Sequence, residues 1–435
     1  TNQGASLVAQ VIFGGVEINN RLTEDYTDKY LKNTGFSIAK TRFKFTVPEE
    51  LGLNVNHFKA IDAIAAEAIR EKAAPGMVVF VAKAGHVIFN KAYGTHTYDK
   101  GSSKTLITDI FDLASITKTS ATTIETMRLY EAGKLNLDTT ISTYIAKTRA
   151  TNKANIKVKE VLLHQAGFIP FIPFYNNIKP TDFSRDSSET YNIKVADSFY
   201  MQRSYFKDVM WKQMLESTLK TRGQYVYSDL SMYFMKEIVE TITQQPLANY
   251  VKSQFYAPLG MHTTGFNPRY RFSKNEIIPT EQDKYFRKTL LWGYVHDQGA
   301  AMVGGVSGHA GLFSNASDLA ILYQMLLNKG TYGGERYFKP KTIEMFTAKQ
   351  SDISRRGLGF DRYDADSKAG YPSKLASNQT YGHTGYTGTC VWVDPAKDLV
   401  YIFLSNRVNP EVSNKLLNLN IRSRIQDAIY KALEK

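Results

Sequence analysis

Two pairs of apolar, β-rich segments lie near opposite ends of this 435-residue chain, and they restrict its fold more than any other feature. Residues 77–83 and 87–93 are separated by a turn at 84–86, and the run TGTCVWVDPAKDLVYIFLSN turns at 394–398. Both patterns predict β-hairpins, and their strands are apolar enough to be central in a sheet. The sequence therefore predicts one antiparallel sheet assembled from both ends of the chain.

The segments around the hairpins predict helices. Apolar residues recur at helical spacing over 57–69, before the first hairpin, and over 421–432, after the second. Between the hairpins, residues 115–349 are largely helical by pattern, with long proline-containing loops between 170 and 180. We expect an α+β fold, an antiparallel sheet flanked by N- and C-terminal helices with an inserted α-helical subdomain.

The first 50 residues differ from the rest. They hold a short apolar segment, a Gly-Gly pair at 14–15 and a polar stretch rich in Thr, Lys and Asn that ends at Pro48. We expect residues 1–50 to be an appendage, the tail of an upstream domain, and residues 51–435 to form the main domain. The apolar run 7–13 is too short to span a bilayer.

Composition excludes several functional classes. The net charge of +13 is spread over single Lys and Arg residues without a dense run, and no nucleic-acid-binding signature occurs, so we expect no nucleic-acid partner. The single cysteine, Cys390, excludes an intramolecular disulfide framework and a cysteine-based metal site. Function is expected in a pocket that takes a small molecule or a peptide.

A Ser-x-x-Lys pair at Ser115 and Lys118 is the first chemical motif. On a helix start this spacing places the hydroxyl and the amine on one face, and a desolvated lysine can lose its proton near neutral pH and act as a base for the serine. The pattern occurs four times, also at Ser37/Lys40, Ser204/Lys207 and Ser217/Lys220. The strand-like run FDLA before Ser115 and the Thr-rich helix start after it distinguish this copy, although an ordinary serine N-cap fits too.

Two further motifs are weaker. Tyr-Ser-Asp at 227–229 precedes an apolar helix, and by itself it fits a helix cap with a buried tyrosine better than a functional site. His383, Thr384 and Gly385 stand at the entrance of a strand, where the glycine permits close backbone approach to a substrate. A glycine-rich hairpin with unusual backbone angles explains them equally well.

Taken in order, the three motifs resemble the Ser-x-x-Lys, Ser-Asp-Asn and Lys-Thr-Gly set of the serine β-lactamase and penicillin-binding-protein superfamily. The tyrosine in the second motif is most similar to the branch of class C β-lactamases, DD-peptidases and esterases. The phrases GKLNLDTTIS, LLHQAGF, PLGMHTTGF, GHAGLFSNASDLA and FLSNRVNP add to the resemblance, which covers roughly residues 57–435.

The resemblance implies a serine hydrolase that forms an acyl-enzyme without a metal or another cofactor. Ser115 would attack a carbonyl, and Lys118 and Tyr227 would transfer the proton. Asp229 would hydrogen-bond within that cluster. The substrate-binding residues would be Asp229, His383, Thr384, Gly385 and Tyr386, with the N–H groups of Ser115 and Tyr386 as the oxyanion hole.

Two departures from the family pattern narrow the range of expected substrates. Asp229 stands where the best-known members have Asn, and His383 stands where β-lactamases usually have Lys. Histidine there is more like some DD-peptidases and esterases, so an ester or a D-amino-acid amide of cell-wall peptides is the expected substrate. If the cationic form of His383 anchors a substrate carboxylate, its charge should matter for acidic substrates, but the sequence does not give the pKa of His383.

The N-terminal stretch has a resemblance of its own. LVAQVIFGG followed by NNRL is similar to the tail of a family-three glycoside hydrolase catalytic region. This implies a larger fused protein, exported to the periplasm or cell envelope, with a glycoside hydrolase upstream.

Two alternatives belong to other classes. One is a catalytically lapsed module that keeps the pocket for peptidoglycan fragments. The other is a metal-dependent hydrolase built on His164, His296, Asp297 and His309, although none of them has close ligand spacing.

Overall fold

A computed structural model describes residues 2–366 and 372–434, and its centre is a seven-stranded sheet. We number its strands in chain order: β1 Lys44–Phe45, β2 Gly76–Lys83, β3 His86–Gly94, β4 Asp361–Arg362, β5 Tyr381–Thr384, β6 Cys390–Asp394 and β7 Leu399–Ser405. In space the order is β1-β3-β2-β7-β6-β5-β4. Both predicted hairpins are therefore confirmed, as β2–β3 and β6–β7.

The pairing of β2 with β7 joins the two ends of the chain. The two strands run antiparallel in a register that places Met77 opposite Ser405 and Lys83 opposite Leu399. Both strands are buried along nearly their whole length, as their apolar sequences predicted. The sheet has one departure from the antiparallel prediction, because β1 pairs in parallel with β3 at the edge.

Alternate residues of the central strands enter two different cores. Met77 and Val79 face a core that contains helices Lys59–Arg70 and Ile421–Leu433, the two helices predicted to flank the sheet. Val78 and Phe80 face the other core, which is formed with the inserted region. Burial on both faces follows from the period of two along a strand and explains why these strands are continuously apolar.

The inserted region is less regular than the prediction of an α-helical subdomain. Its helices are interrupted by π-helical turns, at Lys118–Thr123, Phe206–Met210 and Lys252–Tyr256. Short strands also form small sheets within it: Phe111–Asp112 with Leu312–Ser314 and Gly265–Phe266, Phe183–Ser184 with Phe199–Met201 and Ile193–Ala196, Glu281–Gln282 with Leu290–Leu291, and Thr331–Tyr332 with Glu335–Arg336. Strands of two to four residues are too short to show a period in the sequence.

The α-helices of the described chain complete the architecture. They are Asn2–Ile12, Lys59–Arg70, Ile124–Glu131, Ile141–Tyr144, Val158–Leu162, Trp211–Glu216, Leu230–Thr243, Leu247–Val251, Ala257–Leu259, Gln298–Met302, Ala316–Leu327, Pro340–Thr347, Lys415–Asn418 and Ile421–Leu433. Ala316–Leu327 packs on the central sheet from the side of the insert. Across residues 2–366 and 372–434, no helix combines the length and the apolar character that a membrane crossing needs.

The end of the N-terminal segment packs against the main domain. Phe43 is only 6% exposed and packs edge-on against Phe80 of the core. Its backbone N–H donates to the Tyr332 hydroxyl, and β1 follows directly. The polar composition before Pro48 conceals this single buried aromatic side chain.

Candidate active site

Ser115 lies at a strained turn between a strand and a helix. The strand Phe111–Asp112 ends there, and Ala114 takes a left-handed backbone conformation with φ of 46°. Such a conformation is unfavourable for a residue with a Cβ, so the surrounding structure must hold it. The buried Asp112 does so, since its carboxylate accepts the Ala114 N–H at 2.9 Å. The turn exposes the Ser115 side chain to the cleft while the following helix is buried.

Ser115 is one of several polar contacts of Lys118. Its Nζ donates to Ser115 Oγ at 2.8 Å and to the His309 carbonyl at 3.2 Å, and it forms an ion pair with Asp229 Oδ1 at 2.7 Å. The lysine is fully buried. Three acceptors match the three N–H bonds of an ammonium group.

The other Ser-x-x-Lys copies make no comparable contact within the described residues. Lys40, for example, donates to the Ala84 carbonyl, and the Ser217 hydroxyl donates to the Met214 carbonyl. The structure thus brings together only the serine and lysine that the sequence context favoured.

The protonation of Lys118 differs from the sequence argument. Burial alone would lower the pKa of Lys118, but the Asp229 carboxylate and the Tyr227 hydroxyl raise it above its ordinary value. The lysine is therefore an ammonium ion at neutral pH, and not the desolvated free amine that the Ser-x-x-Lys spacing allows. The family resemblance placed Asp229 in this cluster, but the sequence alone does not show that its carboxylate outweighs the effect of burial on the pKa of Lys118.

Tyr227 lies beside the serine and the lysine. Its ring centroid is 5.0 Å from Lys118 Nζ and 4.7 Å from the ring centroid of His164. Burial raises the pKa of Tyr227, while contacts of its hydroxyl with Lys118 and Ser115 oppose that rise. The neutral phenol and the ammonium ion thus form a coupled pair around the Ser115 hydroxyl.

Residues 227–229 do not act as the side-chain helix cap that their sequence also allowed. Asp229 precedes helix Leu230–Thr243 without a side-chain cap bond, and its carboxylate binds Lys118 instead. The Ser228 hydroxyl donates to the Ile169 carbonyl, and the Ser228 N–H donates to His164 Nδ1 at 3.2 Å. His164 belongs to the phrase LLHQAGF, but no sequence pattern indicates this supporting position beside Ser228.

His383 is neutral, so the cationic anchor that the sequence left open is not present at this position. Its Nδ1 donates to the Thr384 carbonyl at 2.7 Å. Burial, with the positive charges of Arg356 and Lys118, lowers the pKa of His383 to about 3. Its Nε2 is buried without a hydrogen-bond partner among the described residues and lines the cleft.

Positive charge near Ser115 comes from arginines that the sequence analysis did not single out. A cavity of about 560 Å³ extends from Ser115 and is lined by Arg355, Arg356, Arg407 and Arg422, with one acidic residue, Asp361. We call it the basic cavity. Arg356 is 3% exposed, and its Nε donates to the Tyr225 hydroxyl at 3.1 Å. Its Nη1 has no hydrogen-bond partner within the described chain, so the basic cavity offers a free buried donor.

Gly385 and Tyr386 close the cleft on the β5 side. A Cβ at position 385 would approach Thr389 Oγ1 to 2.2 Å and the Leu113 carbonyl to 2.5 Å, so only glycine fits between the strand and the turn that carries Ser115. Tyr386 is half exposed and lines the cleft. In the described part of the chain the backbone N–H groups of Ser115 and Tyr386 donate to no backbone acceptor, as an oxyanion hole requires.

The three histidines proposed as ligands of a metal-dependent hydrolase do not lie together in the structure. His164 lies beneath Tyr227, and His296 pairs with Glu281 at 3.3 Å. Asp297 and His309 do meet, at 2.8 Å, and a carboxylate oxygen of Asp229 lies within 4.8 Å of both. Both ring nitrogens of His309 are already hydrogen-bonded, to Ser307 and Asp297, and the Lys118 ammonium beside Asp229 opposes a divalent cation.

The chain is similar to curated proteins along most of its length. A protein of Escherichia coli (strain K12) named "Putative D-alanyl-D-alanine carboxypeptidase" is 32% identical over 423 residues, which cover 90% of this chain and 93% of that protein. A protein of the same name from Salmonella typhimurium is 32% identical over 401 residues, covering 86% and 88% of the two chains.

Solved structures share the fold at low sequence identity. The hydrolase EstCE1, described as having promiscuous acyltransferase activity, superposes with a TM-score of 0.63 at 19% identity, covering 86% of this chain and 99% of that one. A penicillin-binding protein homologue from Caulobacter crescentus gives a TM-score of 0.62 at 17% identity, covering 87% and 98%. The beta-lactamase family model matches residues 61–426, and the chain therefore belongs to the beta-lactamase family.

Proposed function

We propose that this serine hydrolase cleaves D-amino-acid amides or esters of cell-wall peptides, as a DD-carboxypeptidase does, with Ser115 as the nucleophile. The observation that carries the proposal is the contact of Ser115 with a buried Lys118 that is shared by Asp229. The curated relatives bear the name of this activity. The basic cavity beside Ser115 supports it, because a C-terminal D-amino acid presents a carboxylate there.

In the first step Ser115 Oγ forms a bond to the substrate carbonyl carbon. Its proton passes to the pair formed by Lys118 and Tyr227, once that pair has lost one of its two protons. The N–H groups of Ser115 and Tyr386 stabilise the negative oxygen of the tetrahedral intermediate. The bond to the leaving group then breaks, and the leaving nitrogen or oxygen takes the proton from the pair.

The second step releases the acyl group. Water attacks the ester carbon and gives one proton to the same pair, and Ser115 leaves and recovers that proton. In the first step Arg356 would hold the carboxylate of the leaving D-amino acid, since its Nη1 has no other partner in the described structure. The neutral His383 would line the substrate site and offer Nε2 for a hydrogen bond, but it would supply no charge.

Covalent labelling tests the nucleophile. Ser115→Ala should abolish labelling by a fluorophosphonate reagent or a penicillin while the circular dichroism spectrum is unchanged. The matched variants Ser37→Ala, Ser204→Ala and Ser217→Ala should label like the parent. Labelling that survives in Ser115→Ala would overturn the assignment, and a parent that is never labelled would favour the lapsed binding module.

Turnover of a substrate panel tests the acyl donor. We expect hydrolysis of a D-Ala-D-Ala peptide and of p-nitrophenyl esters, and little hydrolysis of β-lactams, because no lysine occupies position 383. Efficient β-lactam hydrolysis with no peptide cleavage would contradict the proposal.

We also propose a cell-envelope location, since cell-wall peptides lie there, and an upstream glycoside hydrolase region, on the N-terminal resemblance alone. Cell fractionation with an antibody against this domain tests the first. The gene sequence before the codon for Thr1 tests the second.

A further inference from the structure

A second cavity opens from Ser115, and a third continues from it. The second has a volume of about 500 Å³ and is lined by Ser115 and Tyr227, and we call it the inner cavity. The third, which we call the outer cavity, has a volume of about 720 Å³. Tyr175, Tyr285 and Gln298 line both, so the inner cavity connects the outer cavity to the nucleophile. A sufficiently long acyl chain attached at Ser115 therefore reaches the outer cavity.

The inner cavity has three acidic side chains, but each of them already contacts a basic side chain of the protein. The pairs are Asp229 with Lys118 at 2.7 Å, Glu281 with His296 at 3.3 Å and Asp297 with His309 at 2.8 Å. Because these groups engage one another, this part of the cleft suits a neutral section of the acyl chain. The amide of an N-acylated D-amino acid is such a section.

The outer cavity differs from the inner one in its charge. Arg185 and Lys288 line it, and no acidic side chain is among its described lining residues. Within the described chain neither residue forms an ion pair: Arg185 Nη1 donates to the Ser198 carbonyl at 3.3 Å, and the Lys288 ammonium group has no partner. The outer cavity therefore presents two positive charges that no carboxylate of the described chain pairs with.

Aromatic rings form a floor beneath Arg185. The guanidinium carbon lies 5.5 Å from the ring centroid of Phe199 and 5.9 Å from that of Phe183, and these two rings stack with centroids 4.8 Å apart. Phe286 packs edge-on against Phe199. A guanidinium group that stacks on rings keeps its N–H edge free for a carboxylate, and the rings themselves accept an apolar chain.

The turn that carries Lys288 is held by a buried ion pair. The Asp283 carboxylate accepts the Phe286 N–H at 2.9 Å and pairs with Arg287 at 2.8 Å, and both charged side chains are 2% exposed or less. Arg287 also donates to the carbonyl of His296, a residue of the inner cavity, at 2.6 Å. Arg287 is thus engaged within the protein, and the turn places Phe286 and the unpaired Lys288 at the outer cavity before any substrate binds.

We propose that the outer cavity binds a carboxylate of the acyl chain, remote from the scissile bond, through Arg185 and Lys288. This inference rests on the proposed function, which places the scissile carbonyl at Ser115. The preferred acyl donor is then an N-acylated D-alanyl compound whose acyl group carries a carboxylate at its far end. The apolar part of that group packs on Phe199 and Phe286.

Matched substrate pairs test this selectivity. D-Ala-D-Ala is N-acylated with a dicarboxylic acid, and the free terminal carboxylate is compared with its neutral terminal amide in a series of succinyl, adipoyl, suberoyl and sebacoyl chains. The ratio of the two kcat/KM values at about pH 7 isolates recognition of the remote charge. We expect a ratio of about five for the longer chains, since both cations are exposed, and a decline of this ratio as salt is added. The succinyl pair should give a ratio near one, because its carboxylate stays within the inner cavity.

Charge variants assign the preference to the two cations. The double variant Arg185→Gln/Lys288→Gln should bring the ratio for the longer chains to about one, and Lys288→Glu should lower it toward one or below. Lys134→Gln is the matched control, because Lys134 is exposed and is not among the residues that line the three cavities described.

The outcomes separate this inference from the proposed function. A parent ratio near one at every chain length, with the amide substrates still hydrolysed, overturns the carboxylate site and leaves the proposed function intact. A preference that persists in the double variant assigns the recognition to another cation and also overturns it. A parent that cleaves no member of the series, or that shows no labelling of Ser115, contradicts the proposed function itself.

Discussion

Replacing Asp229 by Asn should shift the acid limb of acylation to lower pH. The Asp229 carboxylate lies 2.7 Å from Lys118 Nζ, and its negative charge raises the pKa of both Lys118 and Tyr227. The base for Ser115 forms when this pair loses one proton. Removing the carboxylate makes that loss easier, whichever of the two groups releases the proton.

The structure sets the size of the shift. An opposite charge at this distance moves a pKa by about 1–3 units. The Asp229 side chain is 26% exposed, so solvent screens part of its charge, and we expect the acceleration below the limb to be about ten- to a hundredfold. Below the limb, kcat/KM should then rise by about tenfold for each unit of the shift, because the deprotonated fraction of the pair rises by that factor.

A neutral p-nitrophenyl ester is the suitable substrate, because it has no charged group that would interact with the basic cavity. Acylation would be followed by stopped flow from about pH 5 to 10 in the parent, in Asp229→Asn and in the exposed control Asp138→Asn. An acid limb that stays in place or moves to higher pH in Asp229→Asn would refute the argument that this carboxylate sets the protonation of the pair.

Further predictions follow from other contacts. Tyr227→Phe should slow acylation by roughly 10²–10⁴ with little change in melting temperature, since the ring packing remains; a parent-like rate would remove Tyr227 from proton transfer. Arg356→Met should raise KM for a D-Ala-D-Ala peptide far more than for a neutral ester, and equal effects would contradict carboxylate binding. Phe43→Ala should destabilise the domain by about 3 kcal/mol in urea unfolding, while the half-exposed Phe45→Ala changes it by less than about 1. The pKa of His383 is lowered to about 3 in the folded chain, so below about pH 6.5 the unfolded chain binds more protons than the folded chain. The free energy of unfolding should therefore fall as the pH is lowered from about 6.5 toward 3, and His383→Gln should flatten that slope.

Sequence patterns predicted the elements whose burial is local. Strands β2, β3, β6 and β7 are apolar along their length, and the helices 59–70 and 421–433 repeat apolar residues on one face, so periodicity identified them. The parallel strand β1 has only two residues and is anchored by one buried phenylalanine, which no period reveals.

The candidate site was predictable in its residue types but not in its charges. Resemblance to the family identified Ser115, Lys118 and Tyr227, and the structure brings them together. The pKa of Lys118 depends on Asp229, and that of His383 depends on Arg356, partners that are close only after folding. Arg356 was overlooked because a single residue in a loop carries no pattern, and His309 was considered only as a metal ligand.

The pairing of β2 with β7 has a consequence for synthesis of the chain. The two strands are adjacent in the sheet, but Ser405 follows its partner Met77 by about 330 residues. At about 5–20 residues per second, a ribosome would complete β7 roughly 16–66 seconds after β2. During that interval the β2–β3 hairpin has an open edge and apolar side chains on both faces, which favours association with other chains. A chaperone that shields nascent chains should therefore raise the soluble yield, and a circular permutant that begins with β6 and β7 should need it less.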